Sequence, residues 1–197
     1  MARVGILGGT FDPPHNAHIA MAEAALERIP LDSVLLMPAP QPPQKKRAAL
    51  TPYDNRVEML RLAIAGRAGL ELSRLEEFRT GPSYTVELLE AFRERFSAEP
   101  FLILGADSVC DLPKWKQPER ILELATLVVF PRAGYSPTVT VGRGTLHATA
   151  VSVVLFESPV IDISSTAIRR RVREGLPVDT LVPEPVHKFI LDNGLYS

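Results

Sequence analysis

The chain has 197 residues, 46% of them hydrophobic, enough for one domain with a sizeable core. A formal net charge of −1 gives no global basic field and argues against bulk nucleic-acid binding. No apolar run approaches the ~20 residues that a membrane span needs. The single cysteine, Cys110, leaves no internal disulfide and fits a reducing compartment. With nothing nearby in sequence to activate it, Cys110 is expected to be a small core residue. Met1-Ala2-Arg3 leads into a strand without a signal-peptide pattern, so the expectation is a soluble cytoplasmic protein.

Val4-Gly5-Ile6-Leu7 reads as a buried strand and Ile19 to Leu26 as a helix. Between them lies Gly8-Gly9-Thr10-Phe11-Asp12-Pro13-Pro14-His15-Asn16-Ala17-His18. A strand that turns through glycines into a helix start offers free backbone N–H groups and the positive end of a helix dipole, a place for phosphate. His15 and His18 are three apart, so both rings can face one spot from the first helical turn. Such a pair can also be structural, or can ligate a metal. A catalytic metal needs a third protein ligand, and the remaining histidines, His147 and His187, lie far along the chain.

Ser33 to Met37 reads as a second buried strand, completing a βαβ unit with a parallel sheet and right-handed crossover. Pro38 to Arg47 is too rich in proline for regular structure: a solvated loop with a basic tip, or a mobile loop at a strand's carboxyl end, where open α/β sheets bind ligands. Thr51-Pro52-Tyr53-Asp54 is a helix start, with Thr51 as N-cap and Pro52 at the first helical position. That helix runs to Ile64, and Leu70-Glu71-Leu72 is a short strand. Thr80 to Thr85 caps a helix ending near Phe96, with Ser83 and Thr85 as capping hydroxyls.

Phe101 to Asp107 reads as a strand ending in Gly105 and an acid, which beside a nucleotide accepts hydrogen bonds from ribose hydroxyls or simply caps a helix. Trp115, the only tryptophan, is either core or a face on which a flat ring stacks. Ala125 to Phe130 is a further strand, and Arg132 either holds phosphate or covers the surface. Residues 135–148 show no period, and Ala150 to Phe156 resumes as a strand. In Asp162-Ile163-Ser164-Ser165-Thr166-Ala167-Ile168-Arg169, three hydroxyls gather at a helix start, with the planar cation of Arg169 one turn in. Pro183 to Ile190 forms a last helix, stopped by Asn193-Gly194.

The Gly8–His18 stretch resembles the GGTFDPxHxGH signature of the HxGH-type nucleotidyltransferase superfamily, and most closely that of bacterial nicotinate-nucleotide adenylyltransferases. Ala17 stands where the family usually has Gly. Ile163 to Arg169 matches the family's ISSTxIR motif, Pro42-Pro43-Gln44-Lys45 is similar to its PPHK segment, and Gly81 to Thr85 resembles its G-x-S-Y-T segment. The resemblance implies a doubly wound, mainly parallel Rossmann-like α/β sheet with helices on both faces, in a single domain spanning residues 1–197. It implies transfer of AMP from ATP to nicotinate mononucleotide with loss of pyrophosphate. The implied ATP site is Gly8, Gly9, Thr10, Phe11, His15, His18, Gly105, Asp107, Ile163, Ser164, Ser165, Thr166 and Arg169. The implied mononucleotide site is Gly9, Asp12, Lys45, Tyr84, Thr85, Trp115 and Arg132. His18, His15, Thr10 and Arg169 would carry the catalysis, and Mg2+ would accompany ATP, held by phosphate oxygens and water. No nucleic acid or membrane partner is implied, and a homo-oligomer is compatible with the sequence.

Three other readings compete. A sister transferase acting on phosphopantetheine or a cytidylyl group would share both motifs, but the Pro-Pro-x-Lys loop, Ser83-Tyr84-Thr85 and Trp115 argue against it. A nucleotide sensor without catalysis need not keep both histidines. A class I aminoacyl-tRNA synthetase would need more chain and more positive charge to hold tRNA.

Overall fold

A computed structural model of the chain describes residues 1–43, 50–131, 139–141, 144–146 and 163–197. Lys45, Arg132 and the strand expected at Ala150 to Phe156 lie outside the described residues. The first half comprises β1 (Ala2–Gly9), α1 (Asn16–Arg28), β2 (Ser33–Pro38), α2 (Tyr53–Ile64), β3 (Leu70–Leu72) and α3 (Thr85–Arg95). The second comprises β4 (Ala98–Gly105), α4 (Ala106–Asp111), α5 (Pro118–Leu124), β5 (Thr126–Phe130), β6 (Val139–Val141), β7 (Gly144–Leu146), α6 (Ser165–Arg173) and α7 (Glu184–Asp192).

Five strands form one parallel sheet in the order β3-β2-β1-β4-β5, while β6 and β7 pair separately and antiparallel. The apolar runs are continuous because both faces of the sheet are covered, and alternate residues feed opposite cores. Leu7, Val34, Leu36, Phe101, Ile103, Val128 and Phe130 pack on one face with residues of α1, α2, α6 and α7. Ile6, Leu35, Met37, Leu102, Leu104, Leu127 and Val129 pack on the other with α3, α4 and α5. This is the doubly wound α/β fold that the sequence implies. The chain winds outward from β1 through β3, then returns to the other side of β1 to lay down β4 and β5. That reversal opens a crevice at the carboxyl ends of β1 and β4. No helix among the described residues is long and apolar enough to cross a membrane.

Four local expectations are corrected. Pro52, not Thr51, is the N-cap of α2: Thr51 instead gives its N–H to Asp12 and its carbonyl to Arg56. The N-cap of α3 is Tyr84, without a side-chain bond. Ser83 is engaged with Gln41, whose N–H its Oγ accepts and whose carbonyl its own N–H reaches, and Thr85 is the first helical residue. β4 starts at Ala98 and ends at Gly105, so Asp107 lies in the first turn of α4 rather than on the strand. Cys110 is exposed, because Ala106 and Val109 take the inward positions of that short helix.

One buried cation holds the crevice loops. Arg56 is 1% exposed and lies on the same stripe of α2 as Leu60 and Ala63. Its guanidinium donates to the carbonyls of Thr10 at 2.7 Å, Ala39 at 2.8 Å, Pro40 at 3.1 Å and Thr51 at 3.1 Å. Two of these belong to the loop after β2, and one to the loop after β1. Burial lowers its affinity for its proton, which the carboxylate of Asp12 partly restores, and a guanidinium stays charged under such a pull. Arg56→Leu leaves four carbonyls without their donor, at about 1–3 kcal/mol for each one that stays buried and dry. A loss of about 3 kcal/mol or more is expected in urea unfolding, and Arg56→Lys should recover little of it, since an ammonium cannot span the same fork. A loss below about 1 kcal/mol would contradict this account.

Candidate active site

β1 runs into the turn Thr10–His15 and then into α1, so the Gly-Gly turn sits at the crevice. Phe11 adopts φ 50, a left-handed conformation that costs an aromatic residue about 1–3 kcal/mol, and its ring is almost fully buried. The ring lies beneath Gly9, where a Cβ would stand 3.1 Å from it, so a side chain there would press on the Phe11 ring by a few tenths of an ångström. Phe11 also meets the ring of His18 edge-on, with centroids 4.9 Å apart.

His15 is the N-cap of α1 and His18 its third residue, and the two rings stack with centroids 3.6 Å apart and planes 19° from parallel. The N–H of His15 donates to Nδ1 of His18 at 3.2 Å. With Nδ1 accepting, the neutral ring of His18 carries its proton on Nε2 and presents a donor. The histidines are therefore the cap of the helix as well as its first polar groups. α6 approaches the same turn. Ser164 caps it, accepting the N–H of Ala167 at 3.2 Å, and Ser165 donates to the carbonyl of Pro13 at 2.9 Å. Arg169 donates to the carbonyl of Asp12 at 2.7 Å and to Oγ1 of Thr166 at 3.3 Å. α1 and α6 have no acid in their first turns, whereas α2, α3, α4, α5 and α7 each carry one. Of the helix starts at this crevice, those of α1 and α6 thus carry no acid to compete with an external anion, whereas α4 brings Asp107.

Two cavities flank the Gly-Gly turn. The larger, about 450 Å³, is lined by Gly8, His15, Ala17 and His18, by Gly105 and Asp107, and by Ile163, Ser164, Ser165 and Thr166. A Cβ at Gly105 would come within 2.6 Å of Oδ1 of Asp107 and would turn that side chain away from its present position. The smaller, about 240 Å³, is lined by Gly8, Gly9, Thr10, Glu76, Tyr84, Thr85 and Trp115, with Pro42 and Pro43 from the proline-rich loop. Gly8 and Leu104 line both, so the cavities adjoin at the ends of β1 and β4.

The residues expected around ATP therefore collect in the larger cavity, except for four. Gly9 and Thr10 line the smaller one, while Phe11 and Arg169 line neither and support the turn from behind. Of the residues expected around the mononucleotide, Gly9, Tyr84, Thr85 and Trp115 line the smaller cavity. Asp12 does not: it is 1% exposed, and its carboxylate accepts the hydroxyl of Tyr196 at 2.7 Å and the N–H of Thr51 at 3.4 Å. Burial above all holds the Tyr196 hydroxyl protonated, far above the usual phenol range. Lys114 and Lys116 also line the smaller cavity, and Lys116 sits 4.6 Å from the centre of the Tyr84 ring. Sequence reasoning missed Arg56, Tyr196 and Glu76. The signal for Arg56 was present as an arginine on an apolar helical stripe. For the other two, no local pattern existed.

An open parallel sheet with a phosphate-type crevice at its switch point defines a nucleotide-handling α/β enzyme. The family model described as cytidylyltransferase-like matches residues 6–171. A probable nicotinate-nucleotide adenylyltransferase of Thermomicrobium roseum is 41% identical over 197 residues, covering 100% of this chain and 92% of the relative. The nicotinate-nucleotide adenylyltransferase of Bacillus subtilis is 37% identical, with both chains covered in full. The chain belongs to the cytidylyltransferase-like family and, within it, to the nicotinate-nucleotide adenylyltransferases. The fold is likewise similar to that of Plasmodium falciparum nicotinic acid mononucleotide adenylyltransferase complexed with NaAD, with TM-score 0.82 at 17% identity, covering 100% of this chain and 98% of that one.

Glu76 is the titratable group most displaced from its ordinary range in the smaller cavity: burial lifts its carboxyl to about 7, against a weaker downward pull from Arg79. A carboxyl raised in the folded state stabilises the protein fully below its unfolded pKa and loses that contribution as pH rises through about 7. Glu76→Gln removes the titration. The variant should gain on the parent between about pH 5 and pH 8, by on the order of 2 kcal/mol in unfolding free energy. A difference that does not change with pH would contradict the assignment.

Proposed function

We propose that this chain transfers AMP from ATP to nicotinate mononucleotide, giving nicotinate adenine dinucleotide and pyrophosphate, a step of NAD biosynthesis carried out in the cytoplasm. The observation that carries the reading is the pair of cavities adjoining at Gly8. A nucleotide triphosphate in the larger and a mononucleotide in the smaller bring an acceptor phosphate and an α-phosphorus together at the seam. Holding two anionic substrates in line supplies much of the rate by positioning alone.

In the reaction, an oxygen of the acceptor phosphate forms a bond to the α-phosphorus, and the bond from that phosphorus to the bridging oxygen breaks. The electron pair leaves with pyrophosphate. No side chain becomes covalently attached. Negative charge grows on the α-phosphoryl and bridging oxygens, and the Nε2–H of His18 is the donor assigned to it. Stacking against His15 and edge contact with Phe11 fix that ring in advance, so little reorganisation accompanies the charge. The open N-termini of α1 and α6 are assigned to the phosphates, with Ser164 and Thr166 beside them. Arg169, bound to the carbonyl of Asp12, is assigned the alignment of α6 with the turn. Thr10, from the smaller cavity, would meet the reacting phosphates from the acceptor side.

Magnesium belongs to this proposal as part of the ATP substrate, with phosphate oxygens and water as ligands. Among the described residues, no group of three or more His, Cys, Asp or Glu side chains is arranged to hold a metal ion.

A pyrophosphate-release assay with ATP and magnesium, offering nicotinate mononucleotide, nicotinamide mononucleotide and phosphopantetheine separately, tests the reading. Turnover is expected with the pyridine mononucleotides and not with phosphopantetheine, and the reverse would discard it. His18→Ala should lower kcat by about 10²–10³, the effect of losing one preorganised donor to developing charge. A near-normal kcat in that variant would remove His18 from the chemistry.

A further inference from the structure

Among the described residues, three that are not glycine adopt a left-handed backbone: Phe11 (φ 50), Gln117 (φ 52) and Tyr196 (φ 69). The two aromatic ones converge on Asp12. Phe11 precedes it in the chain, and the hydroxyl of Tyr196 donates to its Oδ1 at 2.7 Å across 184 residues. Such a backbone strains a bulky residue and persists only where the surroundings over-determine it, most often at functional sites. The turn after α7 supplies that fixation for Tyr196. Leu195 gives its N–H to the carbonyl of Ile190 at 3.0 Å, and Leu195 and Tyr196 both pack on the core that includes residues of α1, α2 and α7.

We propose that Tyr196 is a positioning residue for the adenylyl transfer, acting through Asp12 on the turn that holds His18. This rests on the function proposed above. Asp12 is 1% exposed, and its carboxylate accepts the N–H of Thr51 at a long 3.4 Å and the Tyr196 hydroxyl at a short, charge-assisted 2.7 Å. The hydroxyl therefore sets the direction of this carboxylate. Burial above all keeps it protonated, so it stays a donor throughout the neutral range.

From Asp12 the constraint reaches His18 along the turn in both directions. The ring of Phe11, one residue back, meets the ring of His18 edge-on with centroids 4.9 Å apart. Three residues on, the N–H of His15 holds Nδ1 of His18 at 3.2 Å. The carbonyls of Thr10, Asp12 and Pro13 are held separately, by Arg56, Arg169 and Ser165. Loss of the Tyr196 hydroxyl thus leaves the helix starts in place and frees the Asp12 side chain. The strained backbone of Phe11 then loses one of its constraints, and the ring that buttresses His18 shifts. The anion sites are unchanged while the donor to the α-phosphoryl group is less well aimed, which is a fall in kcat at nearly constant KM.

The test compares Tyr196→Phe with Leu195→Ala in steady-state kinetics and in urea unfolding. Tyr196→Phe keeps the ring and removes only the hydroxyl, whereas Leu195→Ala trims packing in the same turn and leaves the hydroxyl in place. Tyr196→Phe should lower kcat by about tenfold, less than the roughly 10²-fold that a misplacement of about 1 Å can cost. KM for ATP and for nicotinate mononucleotide should change by less than about twofold. Leu195→Ala should lower the urea midpoint and keep kcat within about twofold of the parent. An unchanged kcat in Tyr196→Phe, or an effect confined to KM, would overturn the inference. So would a loss of kcat in Leu195→Ala as large as that in Tyr196→Phe, since the turn would then act through stability alone. Each of these results would leave the adenylyl transfer standing, whereas no turnover by the unsubstituted chain would overturn the proposed function and this inference with it.

Discussion

The site depends on a buried guanidinium. The loops after β1 and β2 leave the sheet at its carboxyl edge, where their carbonyls no longer have strand partners. Arg56 reaches them from α2 and supplies N–H groups to three of them, and to Thr51 as well. A planar fork with five donors is the side chain that can serve several carbonyls of fixed direction at once. Its charge is tolerable because Asp12 lies nearby, itself bound to Tyr196 and to the N–H of Thr51. The turn is thereby held from below by Arg56 and Asp12, and its Gly8, Gly9 and Thr10 line the cavities on its other side.

From that support the rest follows in order. The carbonyls of Asp12 and Pro13, in the same turn, receive Arg169 and Ser165, which sets the start of α6 beside the start of α1. Two helix N-termini without acids then face one cavity. His15 caps α1 while its own N–H orients the ring of His18, so the group assigned to the chemistry is positioned by the same backbone that starts the helix. On the other side of Gly8, Ser83 ties the entry of α3 to Gln41 in the proline-rich loop and lines the smaller cavity.

Much of this was legible in the sequence. The apolar runs, read as buried strands, are buried on both faces, and the glycine–histidine and serine–threonine stretches do meet at one crevice. What was not legible depended on partners distant in the chain. Asp12, assigned to the mononucleotide by its place in a motif, lies behind the turn because Tyr196, 184 residues on, claims one of its oxygens. Arg56 resembled a polar residue of an amphipathic helix, and only the loop carbonyls explain its inward position. Glu76 stands between Leu75 and Glu77 in a stretch without a period, and its burial is a consequence of tertiary packing alone. The shift of Asp107 into α4 and of the α2 cap to Pro52 are boundary effects of one or two residues, the scale on which propensity is weakest.

The central claim is that the two substrates react directly across Gly8, with the protein as scaffold and donor and never as nucleophile. The most direct measurement is the stereochemical course at the transferred phosphorus, using an ATP analogue with sulfur at one α-position and a known configuration. A single in-line displacement predicts inversion in the dinucleotide product. Retention would require two displacements through an adenylylated side chain and would contradict the account.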